Sequence, residues 1–154
     1  MRKSDERILT THVGSLPRDP VLSDLLIRDE LGEKIDKAEI ARLADKAVRH
    51  VVRQQTASGV DIVNDGEQPR VGFQTYVPQR MTGFGGESKR PRSRDWTDFP
   101  GFAQFMATRL PRRSKVTNAP QAIPDVKYED LSAAKDEIRL FKSALGELAA
   151  PPLL

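Results

Sequence analysis

The nonapeptide GVDIVNDGE at residues 59–67 decides the fold class of this chain of 154 residues. It begins with a glycine suited to a helix end, continues through a short apolar run, and closes on Asn, Asp, Gly and Glu. This is the pattern of a buried parallel strand that brings polar side chains to the mouth of an α/β fold. Upstream, residues 8–13 form a second strand candidate that also ends in a small polar cluster. Two such strands predict a site built from strand ends, and they indicate enzyme ancestry.

The segment between these strands predicts helical connections. A short helix begins near Pro20 and closes near Gly32. The strongest helical pattern covers residues 37–58, with Asp36 as its N-cap and Glu39 in the capping-box position. The order strand, helix, strand predicts a right-handed parallel βαβ unit.

The pattern changes in the second half of the chain. GFGG at residues 83–86 predicts a turn, and the charged, Pro-broken run at 87–95 predicts an exposed loop. A strand is predicted at 115–117 and a final helix at 132–145. An aromatic patch around a short helix is typical of core or lid packing, and it comprises Trp96, Phe99, Phe102, Phe105 and Met106.

Composition narrows the functional classes. The net charge of +3 permits a nucleic-acid partner without demanding one. The chain has no cysteine, which excludes disulfides and thiolate metal ligands within it. It shows no apolar run of about 18 residues and no secretory leader, so we expect no membrane partner and a cytoplasmic location.

Three polar residues close the second strand. A carboxylate such as Asp65 or Glu67 at a strand's C-terminal end can bind an ammonium group, ligate a metal, or act as an acid or base. Asn64 also lies at the C-terminal end of this strand candidate. The alternative is a surface loop with ordinary capping and turn carboxylates.

The first strand offers its own candidates. The turn of Gly14 and Ser15 can present a backbone N–H and a hydroxyl to a carboxylate or phosphate, or it is an ordinary βα turn. His12 could shuttle a proton, donate a hydrogen bond or ligate a metal, although a lone histidine is more often structural. The basic run at 89–94, followed by Trp96, could bind single-stranded nucleic acid, but nearby acidic residues favour a solvated loop.

Two segments resemble a known family. Residues 10–18 (TTHVGSLPR) resemble the opening barrel strand of cobalamin-independent methionine synthase and its relatives, and residues 59–67 resemble the family's second strand. Residues 80–84 fit after them, and residues 115–145 look like the segment before a third strand. The likeness after the second strand is carried by Arg70, Phe73 and Tyr76.

The resemblance implies a (β/α)8 barrel of the TIM type, related to uroporphyrinogen decarboxylase. Such a barrel typically needs about 250 residues, so we expect an incomplete one here. Residues 1–154 would be the N-terminal part of a single barrel domain, with an insertion at about 71–125 between barrel strands 2 and 3. We expect the chain to be the N-terminal piece of a longer enzyme whose gene is truncated or split.

The resemblance also implies an activity. Members of this branch transfer a methyl group from methyltetrahydrofolate to the thiol of homocysteine, which a zinc ion holds as a thiolate. By resemblance, the turn of Gly14 and Ser15 would meet the amino-acid carboxylate and Glu67 would bind the ammonium group. Less defined roles nearby would fall to Asp65, His12 and Asn64.

The family's zinc ligands are His, Cys and Glu residues of later strands, which this chain lacks. We therefore expect no metal site in this chain, inactivity in isolation, and a requirement for a second polypeptide or self-association. The alternative is a non-catalytic α/β remnant or small binding protein without turnover. A nucleic-acid-binding module is a weaker third interpretation.

Overall fold

The computed structural model describes residues 4–86, 91, 93–109 and 120–149. Helices and strands mix along the chain, which fits the predicted α/β class. The elements in order are α1 (Pro20–Glu30), α2 (Lys37–Ala57), α3 (Phe73–Tyr76), β1 (Met81–Gly85), α4 (Arg94–Asp98), α5 (Pro100–Arg109), β2 (Gln121–Tyr128) and α6 (Ser132–Gly146). No helix in these ranges is long and apolar enough to cross a membrane.

Helix α2 begins where the sequence predicts. The side chain of Asp36 accepts a hydrogen bond from the backbone N–H of Ala38 at 2.9 Å, so it is the N-cap. The predicted capping box is wrong, because both carboxylate oxygens of Glu39 accept hydrogen bonds from Arg42 instead. The pair lies on the exposed side of the helix, where an i, i+3 ion pair competes with the cap.

Helix α2 is the centre of the core. One part of its buried face packs against α1 and another against α6, so its apolar stripe serves two neighbours. The cluster towards α1 consists of Leu22, Leu26 and Ala44. The cluster towards α6 consists of Val48, Val52, Val63, Ala144 and Leu145. Helix α6 confirms the predicted final helix.

The two predicted parallel strands meet at a single bridge, between Thr11 and Ile62. The parallel direction is as predicted, but the predicted strand lengths are wrong. A side-chain hydrogen bond replaces further backbone pairing between the two strands. A carboxylate oxygen of Asp61 accepts a hydrogen bond from the backbone N–H of Thr10 at 2.8 Å. The first segment is also open to solvent, with Val13 86% exposed.

Residues 83–86 do not form the predicted turn. Strand β1 pairs antiparallel with β2, and the register shifts between Thr82 and Phe84. Gly83 lies at this shift with φ +88°, where a Cβ atom would stand 2.6 Å from the carbonyl oxygen of Asp125. A glycine is therefore required for this pairing. The predicted strand at 115–117 lies outside the described residues, as do residues 87–90 and 92 of the predicted exposed loop.

The aromatic patch on α4 and α5 is exposed. Phe99 is 62% exposed, and Trp96 meets Phe102 edge to face with ring centroids 6.1 Å apart. Core packing was therefore the wrong prediction for these side chains. The two helices are short and pack on each other, which leaves their outer aromatic faces open.

Candidate functional site

The turn after the first strand lies beside the end of the second. The bridge between Thr11 and Ile62 aligns the two segments, and the backbone N–H of Leu16 donates to the carbonyl oxygen of Gly66 at 2.9 Å. Residues separated by some fifty positions in the sequence therefore form one continuous polar surface. The surface lies at the ends of the two strand segments, where α/β folds place their binding groups.

All six residues predicted for the site come together here. The hydroxyl of Ser15 donates a hydrogen bond to the carboxylate of Glu67. The amide of Asn64 donates to the carbonyl oxygen of His12 at 2.6 Å, and Nε2 of that histidine lies 3.0 Å from the carbonyl oxygen of Gly14. We call this set the strand-end site; its members are His12, Gly14, Ser15, Asn64, Asp65 and Glu67.

Glu67 has an unusual backbone for a residue with a side chain. Its φ is +56°, in the left-handed region that costs a non-glycine residue about 1–2 kcal/mol. Two contacts hold it there: its N–H donates to Oδ1 of Asp65 at 3.0 Å, and its carbonyl oxygen accepts from Arg18 at 2.7 Å. Strain that is fixed from both sides is typical of functional positions.

Gly66 makes the close approach of the two segments possible. It is buried, its φ is +59°, and a Cβ atom there would stand 2.9 Å from Cβ of Leu16. Only glycine fits this combination of backbone conformation and space. The residue thus sets the distance between Ser15 and Glu67.

Buried amides support the strand-end site from beneath. Gln55 is 5% exposed, and its side chain bonds both backbone groups of Asn64, donating to the carbonyl oxygen at 2.8 Å and accepting from the N–H at 3.2 Å. Gln68, 1% exposed, donates to the carbonyl oxygen of Leu16 at 3.1 Å. Neither residue was predicted from the sequence. The signal for Gln55 was a polar residue on the apolar face of α2.

A cluster of charged side chains borders the strand-end site and reaches α6. Arg70 pairs with Asp65 at 2.8 Å and lies 3.9 Å from Glu137. The hydroxyl of Tyr76 donates to Glu137 at 2.8 Å, and the guanidinium of Arg80 lies 3.6 Å above the Tyr76 ring. These five residues form the ion-pair cluster. Burial and the neighbouring Glu137 carboxylate raise the pKa of Tyr76.

A cavity of about 330 Å³ opens between the strand ends and α6. One wall is polar and comes from the strand-end site and the ion-pair cluster, while the other is largely apolar and belongs to α6. Its lining consists of Asn64, Asp65, Arg70, Tyr76, Ala134, Glu137, Ile138 and Phe141. Glu137 was missed from the sequence because nothing near it marks a site.

Asp61 lies at the start of the second strand segment and has a structural role. Its carboxylate forms an ion pair with Arg7 and accepts hydrogen bonds from the backbone N–H and the hydroxyl of Thr10. The hydrogen bond from the Arg7 guanidinium, followed by the one from the Thr10 backbone, holds the pKa of Asp61 well below its usual range. Asp61 therefore ties the first segment to the second.

One comparison with known proteins assigns the chain to a family. The family model described as "Cobalamin-independent synthase, Catalytic domain" matches residues 8–91, more than half of the chain. The chain belongs to the cobalamin-independent synthase family. The matched range holds the whole strand-end site, and membership establishes a relationship to methyltransferases of methionine biosynthesis. No curated protein and no solved structure matches the chain.

The residues of this family member do not fit the zinc-ligand set that its family implies. The chain has no cysteine, and within the described ranges no group of three or more His, Cys, Asp or Glu side chains is arranged to hold a metal ion. The ring of His12 is engaged with a backbone carbonyl, and His50 is exposed on α2.

Proposed function

We propose that this chain binds a thiol-bearing amino acid such as homocysteine at the strand-end site, as part of a cytoplasmic S-methyltransferase. The observation that carries the proposal is the hydrogen bond from the hydroxyl of Ser15 to the carboxylate of Glu67. It closes a surface with a carboxylate on one side and a Gly-Ser turn on the other. Those two groups match the two ends of a zwitterion.

The chemistry assigns one end of the ligand to each segment. The Glu67 carboxylate would accept hydrogen bonds from the ammonium group, which is a charge-assisted contact. The turn of Gly14 and Ser15 would donate to the ligand carboxylate through its backbone N–H groups, while the Ser15 hydroxyl stays bonded to Glu67 and orients that carboxylate. Asn64 and His12 would maintain the shape of the site, since they already bond each other or the turn.

In the proposed reaction the thiol gives up its proton, the sulfur forms a bond to the methyl carbon, and the methyl–nitrogen bond of methyltetrahydrofolate breaks. The nitrogen takes up a proton, so the products are methionine and tetrahydrofolate. Family membership supports methyltetrahydrofolate as the proposed methyl donor. In this proposal the chain supplies the binding of the amino-acid end, and the groups that activate the thiol come from elsewhere. We propose a second polypeptide that carries further barrel strands as their source.

The fold supports a place for such a partner. Ile8 and Val13, which flank the parallel bridge, are 85% and 86% exposed, whereas barrel strands normally bury such side chains. We propose that residues 1–154 are the N-terminal part of one (β/α)8 barrel domain and that about 71–125 is an insertion between barrel strands 2 and 3. Sedimentation of the chain alone would distinguish a need for a second polypeptide from self-association, because self-association would appear as a concentration-dependent dimer.

Calorimetric titration tests the binding proposal. L-homocysteine is compared with 4-mercaptobutyrate, which keeps the thiol and carboxylate but lacks the amino group. We expect the amino acid to bind more tightly, and Glu67→Gln to weaken it by at least about tenfold, because a charge-assisted contact is worth roughly 1.5–3 kcal/mol. Glu129→Gln, in an exposed segment, is the matched control. Equal binding of the two ligands to the unmodified chain would reject the proposal.

The alternative is a binding protein of the same family without turnover. The misfit of the described side chains to a zinc-ligand set favours it. Both functions predict homocysteine binding. They separate when the chain is mixed with methyltetrahydrofolate, zinc and the proposed second polypeptide, since only the first then yields methionine.

A further inference from the structure

We propose that Glu137 of α6 is a positioning residue for the strand-end site, acting on Glu67 through Arg70 and Asp65. This inference rests on the proposed function, because it assigns Glu137 a part in recognising the ligand's amino group. Glu137 itself lies 70 positions beyond Glu67 in the sequence and belongs to a different element.

The contacts form an unbroken line. Oε2 of Glu137 lies 3.9 Å from Nη1 of Arg70, and the same nitrogen lies 2.8 Å from Oδ2 of Asp65. The other carboxylate oxygen of Asp65 accepts the backbone N–H of Glu67 at 3.0 Å. Asp65 thus accepts hydrogen bonds from the Arg70 guanidinium with both oxygens, at 2.8 and 3.4 Å, and one of them, Oδ1, also holds the strained residue.

The partial burial of these side chains strengthens the electrostatic coupling between them. The side chains of Asp65, Arg70 and Glu137 are each only 21% exposed. At that burial, charges are screened less than on the surface, so a change at one end affects the next group. Stacking strengthens the arrangement, because the guanidinium of Arg70 lies 4.9 Å from the centre of the Tyr76 ring.

Docking of α6 does not require this line. The apolar cluster around Val48, Val52 and Leu145 already fixes α6 on α2. The Glu137 carboxylate pairs with Arg80 through Oε1, and its Oε2 accepts the hydrogen bond of the Tyr76 hydroxyl at 2.8 Å and lies 3.9 Å from the Arg70 guanidinium that holds Asp65. Loss of its charge would also remove the ion-pair partner of Arg80, whose side chain is 12% exposed, so a lower urea midpoint is expected besides the effect at the backbone of Glu67.

The consequence concerns ligand selectivity. Without the negative charge of Glu137, Arg70 is held by one carboxylate instead of two, and Asp65 is held less firmly in its cap. The left-handed backbone of Glu67 then relaxes, and its carboxylate leaves the position that suits an ammonium group. Binding of a ligand without an amino group does not depend on that position.

The first test uses Glu137→Gln in the full chain, with Asp136→Asn as the matched control. Asp136 is the neighbouring acid of α6, and its side chain is 61% exposed. Amide hydrogen exchange at Glu67 is measured by NMR without ligand. We expect exchange to become about fivefold faster in Glu137→Gln and unchanged in the control, as for coupled residues in one network. Unchanged exchange in Glu137→Gln would overturn the inference.

Ligand binding provides the second test. We expect Glu137→Gln to raise the Kd for L-homocysteine about fivefold while leaving that for 4-mercaptobutyrate unchanged. Arg70→Lys, which keeps the charge but loses the planar fork, should show the same selective loss. Equal weakening of both ligands would overturn the inference. If Glu67→Gln itself has no selective effect, the proposed function fails, whereas the exchange result still decides the positioning of Glu67.

Discussion

Ser15 and Glu67 are separated by 52 positions in the sequence, yet the hydroxyl of the first donates a hydrogen bond to the carboxylate of the second. The bond joins the turn after the first strand segment to the end of the second. It therefore reports both the closeness of the two segments and the orientation of the proposed ammonium-binding group.

Ser15→Ala should weaken homocysteine binding by about tenfold, because a hydrogen bond to a charged group is worth roughly 1.5–3 kcal/mol. The loss should appear in Kd from titration, with little change in the urea midpoint, since the residue is exposed. Ser93→Ala, at the exposed start of α4, is the control. Tighter binding by Ser15→Ala would mean that the hydroxyl competes with the ligand for Glu67.

Gly66→Ala should destabilise the fold by roughly 2 kcal/mol, the sum of a strained backbone and a steric conflict. The added Cβ atom would lie 2.9 Å from Leu16 in a buried position with φ +59°. Urea denaturation measures the loss. Gly101→Ala is the control, because a Cβ there meets nothing within 4 Å and alanine favours the helix. Equal effects of the two changes would contradict the close approach.

Gln55→Leu should cost about 2 kcal/mol or more of unfolding free energy. The leucine fills the space but leaves the backbone N–H and carbonyl of Asn64 without the partners that Gln55 supplies at 3.2 and 2.8 Å. Chemical denaturation of this variant is compared with that of Gln54→Leu, which changes the exposed neighbour. A neutral Gln55→Leu would show that Asn64 does not depend on this support.

Local sequence information predicted the helices well and the strands poorly. The 3.6-residue repeat and the cap at Asp36 are contained within residues 36–58, so α2 is found without knowledge of the rest. A strand depends on neighbours that the sequence does not reveal. Val13 looks like a strand residue, yet it is exposed, and Gly83 looks like a turn residue, yet it pairs with a distant strand.

The same distinction applies to the site. The polar residues that directly follow the strand patterns were found, and the structure brings all six together. One missed support, Gln68, directly follows Glu67 in the chain. The other two lie on helices: Gln55 on α2 and Glu137 on α6. Only tertiary packing brings these residues to the strand ends, although the polar residue on an apolar helical face was a usable signal.

Acid should loosen the contact between the two strand segments through Asp61. The folded-state pKa of Asp61 is lowered by its bonds to Arg7 and Thr10, so its stabilising effect is fully present above its unfolded-state pKa of about 3.9. That effect is lost as the pH falls from about 5 through the folded-state pKa. The free energy of unfolding, measured in urea between about pH 6 and pH 3, should therefore decline on the acid side.

Asp61→Asn isolates this contribution. The amide cannot pair with Arg7 as a charge, so the variant should be less stable near neutral pH and its stability should fall less steeply in acid. Asp125→Asn, in the exposed strand β2, is the matched control and should keep the acid dependence of the unmodified chain. If Asp61→Asn follows the same acid profile as the unmodified chain, the ion pair with Arg7 does not stabilise the contact between the two segments. The alignment of the strand-end site then rests on the bridge between Thr11 and Ile62 and on the hydrogen bonds beyond it, such as that from Leu16 to Gly66.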